Sequence, residues 1–421
     1  MRKGSGMGKW GIVGICSFVY FISYFSRKDF AAVMAGMIFE GVIDKNVGGL
    51  IGMGLFICYG VGQLISGYLG DKLKPKTLIL SGLGATTVCN LLMPIIGGGY
   101  LLIPIWAVNG LAQAMLWPPI VRILSDSLDH ESFVKANLAV TSAAHVATVL
   151  LYLYVPLCLE YMAWETVFYT ATVLALCAII SFVLALIFIL PKDAKIDTGA
   201  TQTTEIGDGA RKDASVLPVL FKAGAPFIFA TIIMMGYLRD GIESWLPTLY
   251  CEAFGKSASE STLISVLLPV FAIASIIIIT ALHKTRLFNN EMRGSGILFL
   301  GCMVISLPMS FLMEVKSTTV QVLCLVMAAT VCAAMHSCNF LLISCLPGRF
   351  KRFGKAATAS GFCNACTYVG AAVSMYGMGL LSDLLGWSGV VMSWAIVAFL
   401  GAAFCFVNLV KYSAFLKEVE N

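Results

Sequence analysis

Two arginines lie inside long apolar stretches of the sequence, where a charged side chain is costly. Arg27 stands in the first apolar stretch and Arg239 in the seventh, each roughly 24–27 Å along its helix from the end that we assign to the cytoplasm. An arginine at the centre of a bilayer costs about 2.5–3.5 kcal/mol on insertion scales, so its presence indicates function or an ion pair. Guanidinium groups bind phosphate and carboxylate oxygens in pairs. We predict that both arginines bind a small anion; the alternative is two structural ion pairs, one of them with Glu243, four residues after Arg239.

Polar aromatic residues accompany the first arginine. Tyr20, Tyr24 and Arg27 follow the i, i+4, i+7 spacing that places them on one helix face. Tyr59 and Gln63 form a similar pair on the second apolar stretch. Tyrosine hydroxyls beside a guanidinium can complete a polar cage for an anion, so these four residues are candidate substrate ligands. Packing, or an interfacial position for the tyrosines, is the alternative.

Several titratable groups could carry a coupling proton. His145 lies midway along the fifth apolar stretch and is a candidate anion donor or proton switch, although a buried histidine often serves as a hydrogen-bonding group. Asp29, Asp240 and Glu243 lie close to the arginines in the chain. Asp29 is about 200° around the helix from Arg27, so the two do not share a face.

The elements that position these residues follow from composition. Of the 421 residues, 59% are hydrophobic and 12% are charged, about half the charged fraction of a soluble domain. These values exclude a soluble enzyme, a disordered chain and a nucleic-acid-binding domain, and they indicate a polytopic helical membrane protein. The pattern predicts twelve spans: residues 11–38, 46–70, 77–96, 99–125, 132–158, 165–190, 221–250, 260–283, 294–314, 317–346, 355–383 and 387–411. The basic N-terminal residues before the first span resemble a signal peptide, but we expect an uncleaved span.

Basic residues define the topology. Of the 28 Lys and Arg residues, 22 fall on the side that holds both termini and 3 on the other, so we expect both termini in the cytoplasm. A polar segment separates the sixth and seventh spans. We predict a six-helix bundle over 1–190, a cytoplasmic linker over 191–220 and a second six-helix bundle over 221–421. Arg27 and Arg239 are 212 residues apart, at matching positions of the two halves, which favours parallel pseudo-repeats and the major facilitator architecture.

A short basic segment follows the second span. It contains Gly67, Asp71 and Lys72, and the combination of a small residue, an acid and cations is typical of a gating loop. No nucleophile–base or metal-binding pattern is present in the sequence, so we expect neither an enzyme nor a cofactor or metal. Cys363 and Cys366 form a C-x-x-C pair inside a predicted span, which we interpret as packing.

The motifs resemble those of the organophosphate:phosphate antiporter family of the major facilitator superfamily. The similar segments are YFISYFSRKDF, GYLGDKLKPK, LWPPIVR, SAAHV, GYLRDGIESWLPTLY and GFCNACTYVG. The resemblance implies that the substrate site includes Tyr20, Tyr24, Arg27, His145, Arg239 and Tyr368. Two positions depart from the family. Gln63 stands where the glycerol-3-phosphate carrier has a lysine, and Asp29 stands where the family has an asparagine.

The resemblance implies an alternating-access transporter of an organic phosphate or similar small anion, exchanged for inorganic phosphate across a cell membrane by a monomer. Its partners would be the anion and the lipid bilayer, without nucleic acid. The alternative is a proton-coupled symporter of a sugar-acid-like anion. A transporter-like membrane sensor is a further class.

Overall fold

The structure is a computed structural model that describes residues 6–188, 216–353 and 356–420. Within these ranges the protein is helical and contains no β-strand. The first seven helices are α1 (Gly6–Phe39), α2 (Lys45–Lys72), α3 (Pro75–Ile96), α4 (Leu102–Ala114), α5 (Trp117–Ser127), α6 (His130–Tyr161) and α7 (Glu165–Phe188).

The second series begins inside the predicted linker, because α8 starts at Val216. The remaining α-helices are α8 (Val216–Lys222), α9 (Ala225–Phe254), α10 (Ala258–Ile264), α11 (Leu267–Leu282), α12 (Glu291–Leu312), α13 (Thr318–Asn339) and α14 (Ala356–Glu420). A π-helical segment (Phe340–Cys345) and a 3₁₀ segment (Leu346–Phe353) follow α13.

The spans agree with the twelve predicted from hydropathy. In the described residues, ten helical segments are long and apolar enough to cross a membrane. One of them, Thr358–Val419, is 62 residues long and holds two spans that meet at Gly386, where φ is 68° and ψ is 179°. The fourth predicted span is not among those ten; it holds the two shorter helices α4 and α5, and its polar residues and prolines make it less apolar than the others. Counting both features gives twelve spans.

Helix ends follow from local sequence. Asp129 caps α6, and its side chain accepts a hydrogen bond from the backbone N–H of Ser132 at 3.2 Å. The ammonium group of Lys9, 3.0 Å away, lowers the pKa of this carboxyl below its usual value. Pro75 begins α3 directly after a two-residue turn. α2 continues through Gly67, Asp71 and Lys72, so the prediction that these residues form a loop is wrong and the turn is limited to the two residues before Pro75.

The chain divides into two compact units. Of the described residues, the first unit holds 6–47, 54–188 and 258–263, and the second holds 48–53, 216–257, 264–353 and 356–420. Most of the predicted linker lies outside the described residues, so the domain boundaries at 190 and 220 stay a prediction. All 14 cysteines are unpaired as disulfides, including Cys363 and Cys366.

Close helix packing in the second unit positions the second arginine. Gly236 of α9 lies against the backbone of Thr367 in α14, and Gly370 lies against the backbone of Ile233. A Cβ atom at either glycine would overlap a carbonyl oxygen of the other helix. The glycines therefore let α9 and α14 approach at backbone distance, as small residues do in membrane helix pairs, and this contact fixes α9 one turn before Arg239.

Candidate anion-binding sites

Aromatic rings surround the guanidinium of Arg27 in the first unit. Its Cζ atom lies 4.2 Å from the ring centroid of Tyr24 and 4.9 Å from that of Tyr59 on α2. The ring of Tyr20 lies 5.0 Å from Tyr24 and 4.7 Å from Trp117, the first residue of α5. The structure thus brings together the tyrosines that spacing predicted and adds Trp117. Ring faces stabilise a guanidinium, while its in-plane N–H groups are the ones that donate to oxygen acceptors.

A buried polar layer lies beside this cage. The carbonyl oxygen of Ser26 accepts hydrogen bonds from the side-chain amides of Asn90 on α3 and Asn109 on α4, both at 3.2 Å. One turn earlier, Ser23 donates to the Oε1 atom of Gln113 on α4. These bonds join α1 to α3 and α4 without using a charge. These hydrogen bonds fix the rotation of α1 about its own axis, because each partner binds a specific atom of α1. The direction in which Arg27 leaves the helix is fixed with it.

Asp29 lies away from the arginine, as the helical angle predicted. It is fully buried, and its Oδ1 atom accepts a hydrogen bond from the backbone N–H of Phe30 at 2.8 Å. Within the described part of the chain, its Oδ2 atom has no hydrogen-bond partner. A buried carboxyl oxygen without a partner is costly when ionised, so Asp29 stays a candidate for carrying a proton.

The other predicted residues of the first unit are placed as follows. His145 on α6 is half-buried, and its Nδ1 atom lies 2.9 Å from the carbonyl oxygen of Thr141. Gln63 is half-buried one turn after Tyr59 on α2. Gly67, Asp71 and Lys72 belong to α2, but the side chains of Asp71 and Lys72 lie outside the part of the chain that the structure describes.

Arg239 in the second unit lies in a different setting. Its Nη2 atom forms an ion pair with Oδ2 of Asp240 at 2.7 Å, and its Nη1 atom donates to Oδ1 of Asn339 on α13 at 2.6 Å. The side chains of Arg239 and Asp240 are 12% and 6% exposed. The guanidinium is therefore charge-compensated from within the protein. The first arginine is held by ring faces and the second by an acid.

Glu243 has a different principal partner from the one that helical spacing suggested. Its Oε1 atom lies 2.7 Å from Nε2 of His336 on α13 and 4.0 Å from Sγ of Cys332. The same thiol lies 3.9 Å from the carbonyl oxygen of Arg239. The acid and histidine thus form a polar cluster directly beside the arginine. Tyr368 on α14 is half-buried in the same unit.

The α13 residues of this site are not among the predicted site residues. Cys332, His336 and Asn339 follow the i, i+4, i+7 spacing that grouped Tyr20, Tyr24 and Arg27 on α1. That periodicity was the available signal. The residues are about 90–100 positions from their partners on α9, so spacing alone did not join them to Arg239.

Long apolar helices in two units, each with an arginine among polar or aromatic partners, are typical of polytopic transporters. Residues 16–352 match the model of the Major Facilitator Superfamily, and the chain belongs to this superfamily. This confirms the fold predicted from the sequence.

Three relatives of this chain are named for transport or sensing in membranes. The chain is 33% identical to a probable hexose phosphate transport protein of Chlamydia muridarum, over 26% of this chain and 24% of that protein. The chain thus aligns with about a quarter of the length of that relative. It is 24% identical to the glycerol-3-phosphate transporter of Bacillus subtilis, over 87% of this chain and 84% of that protein. It is 21% identical to the membrane sensor protein UhpC of Salmonella typhimurium, over 91% and 87% of the two chains.

A solved structure supports the fold alone. A bacterial homolog of the human lysosomal transporter Spinster, in an inward-facing and unoccupied conformation, aligns with a TM-score of 0.74 at 12% identity, covering 98% of this chain and 99% of that one.

The names of the sequence relatives confirm the resemblance to organophosphate carriers that the sequence motifs indicated.

Proposed function

We propose that this protein is a secondary transporter of a small organic phosphate, which it exchanges for inorganic phosphate by alternating access. The observation that carries the proposal is the presence of two largely enclosed arginines in membrane-spanning helices, half-buried Arg27 among tyrosines and Arg239 beside an acid and an amide. The relatives named for glycerol phosphate and hexose phosphate support this substrate class. Arg27 and Arg239 are the proposed anion-binding cations, with Tyr20, Tyr24, Tyr59, Gln63, His145 and Tyr368 as further ligands.

Charge balance gives a physical reason for exchange. A cation buried in a membrane protein is costly unless an anion compensates it. The ring faces of Tyr24 and Tyr59 stabilise the guanidinium of Arg27 by about 0.5–2 kcal/mol. A phosphate bound at Arg27 adds a full negative charge beside the guanidinium and stabilises the loaded site further. The unloaded transporter is then the unfavourable species for reorientation, so inward and outward movement both occur with an anion bound.

The experiment is counterflow into proteoliposomes. Purified protein is reconstituted with unlabelled phosphate inside, and entry of radiolabelled phosphate is followed with sugar phosphates, glycerol phosphate or sugar acids outside as competitors. We expect rapid entry that one organic phosphate inhibits. Liposomes loaded with sulfate, or with buffer alone, are the control. Entry at the same rate without internal phosphate would contradict obligatory exchange.

A second candidate function is proton-coupled symport of a sugar-acid-like anion. Two observations favour it: the unpartnered, buried Oδ2 atom of Asp29 and the Glu243–His336 pair at 2.7 Å. The chain is also 25% identical to an ascorbate transporter of Arabidopsis thaliana, over 75% of this chain and 60% of that protein. Uptake of a carboxylate that requires an inward proton gradient, without stimulation by internal phosphate, would favour this function, with Asp29, Asp240 or Glu243 carrying the proton.

The proposal extends to location and assembly. We propose that the protein is a monomer in the cell membrane. We propose a cytoplasmic location for both termini, because 22 of the 28 basic residues fall on their side. Cysteine-accessibility labelling of a tag at either terminus in intact and permeabilised cells tests the orientation. A transporter-like sensor, as the relationship to UhpC allows, would bind the organic phosphate without catalysing its exchange.

A further inference from the structure

Three side chains of different chemistry converge beside Arg239. Glu243 of α9 and Cys332 and His336 of α13 each direct one potential ligand atom to the same point, and these three atoms lie within 4.8 Å of one another. Cys332 is fully buried, and the side chains of Glu243 and His336 are 14% and 13% exposed. The two α13 residues are four positions apart, so they face α9 as a fixed pair.

The donor set is one thiol, one imidazole and one carboxylate. Zinc ions combine these three donor types, at about 2.0–2.3 Å, and three-ligand protein sites leave the fourth position to water or another molecule. Around a tetrahedral ion, the ligand atoms would be about 3.3–3.6 Å apart. The carboxylate oxygen now lies 2.7 Å from the imidazole nitrogen and 4.0 Å from the sulfur. All three atoms lie within 4.8 Å of one another, so side-chain rotations that change these distances by about an ångström bring them to tetrahedral spacing.

Charge also suits a divalent cation. A metal ion binds cysteine as the thiolate, so the thiol proton is released to solvent, together with any proton shared by Glu243 and His336. The carboxylate and thiolate then neutralise the two positive charges of the ion, and the neutral imidazole completes the set. The neighbouring Arg239–Asp240 pair is already compensated at 2.7 Å. The loaded site would therefore be neutral overall, which is the condition for burying an ion.

We propose that Glu243, Cys332 and His336 form a binding site for Zn²⁺ or a similar transition-metal cation. A bound ion would link α9 to α13 one turn from Arg239, because Glu243 belongs to α9 and both Cys332 and His336 belong to α13. This proposal does not depend on the transport function, since the ligands lie within one unit and metal binding is measured without a substrate.

The experiment is a Co²⁺ titration of the full chain purified in detergent with a histidine-free tag and stripped with a chelator. We expect one equivalent of Co²⁺ to produce a near-ultraviolet charge-transfer band from thiolate to cobalt, and Zn²⁺ to abolish it. Cys332→Ser should remove the band. The matched control is Cys338→Ser on the same helix, a fully buried cysteine whose thiol faces the carbonyl oxygen of Ser295 at 3.8 Å; it should leave the band intact.

A second variant keeps the result decisive if Cys332→Ser misfolds. His336→Gln retains the thiol, so it should keep a weakened band and bind Co²⁺ at least about tenfold less tightly. Zn²⁺ should raise the unfolding temperature of the wild-type protein and of Cys338→Ser, and should have little effect on His336→Gln. A wild-type protein without a charge-transfer band would overturn the proposal. So would unchanged Co²⁺ affinity in His336→Gln, because the metal would then be held by other residues.

Discussion

Replacing Asp240 by asparagine should strengthen anion binding at Arg239. The carboxylate of Asp240 lies 2.7 Å from the guanidinium and the pair is almost fully buried. An incoming phosphate that uses the same guanidinium must displace this carboxylate or remain beside it. In Asp240→Asn the shape of the side chain is kept and its negative charge is lost. The guanidinium of Arg239 then lacks the carboxylate that compensates its charge. Binding of a phosphate therefore stabilises the variant more than it stabilises the wild-type protein.

The magnitude follows from Coulomb's law. A phosphate bound to the same guanidinium would lie about 4–5 Å from the carboxylate, where two like charges repel by about 3–4 kcal/mol at an effective dielectric constant of about 20. Rotation of the carboxylate away from the anion relieves roughly half of this. The remaining 1.5–2 kcal/mol corresponds to a dissociation constant lowered about 10- to 30-fold. The empty variant loses stability, because a buried arginine has lost its partner.

The assay measures both effects on the same samples. Thermal unfolding in detergent is recorded at increasing phosphate concentrations, and the midpoint shift gives the affinity. We expect Asp240→Asn to unfold at a lower temperature than wild type without phosphate and to recover at low phosphate concentrations. The matched control is Glu252→Gln, which removes one exposed acid from the same helix, about 18 Å further along. It should leave the phosphate affinity unchanged.

One result would refute this reasoning directly. If Asp240→Asn binds phosphate with unchanged or weaker affinity while Glu252→Gln behaves like wild type, then Asp240 does not compete with the anion. Arg239 would in that case be a structural partner of Asp240 and Asn339, and the anion would bind elsewhere.

Three further predictions concern the cage, the second unit and a helix cap. Tyr59→Phe keeps the ring 4.9 Å from Arg27 but removes the hydroxyl proposed to bind the anion, so it should raise the KM for phosphate about fivefold, the equivalent of about 1 kcal/mol; an unchanged KM would show that this hydroxyl is not a ligand. Glu291→Gln breaks a pair with Arg349 at 2.8 Å and should lower the unfolding midpoint by about 5 °C, from a loss of about 2 kcal/mol; a change below 1 °C would show that the pair contributes little. Asp129→Asn should unfold at a lower temperature than wild type at pH 7. Because the pKa of Asp129 is lowered in the folded protein, its contribution is present above the unfolded value of about 4 and is lost as pH falls below it, so the two proteins should converge in acid.

Local patterns predicted the features that depend on one helix. The alignment of Tyr24 with Arg27, and the separation of Asp29 from them, both follow from 100° per residue and are present in the structure. The fourth span was predicted as one element, but it is split at the residues before Trp117 and Pro118, where proline removes a helical hydrogen bond.

Contacts between distant helices could not be predicted in the same way. Helical spacing suggested Glu243 as the partner of Arg239, but the adjacent Asp240 forms its ion pair, because a long arginine side chain can reach back to its own neighbour. Asn339 completes the site from a helix that is 100 residues away in sequence. Its spacing places it on one face of α13 with Cys332 and His336, but spacing does not show which helix that face meets. Only the packing of α13 against α9 brings it into place.

The most direct test of the central claim compares phosphate counterflow by Arg27→Ala, Arg239→Ala and the control Arg286→Ala, which removes an arginine that is exposed outside the spans. All three proteins are first checked for a monodisperse profile in size-exclusion chromatography. We predict that both buried-arginine variants fold and lose exchange, whereas Arg286→Ala exchanges phosphate like wild type. Normal exchange by either buried-arginine variant would contradict the account, because an anion could then cross without the cation proposed to bind it.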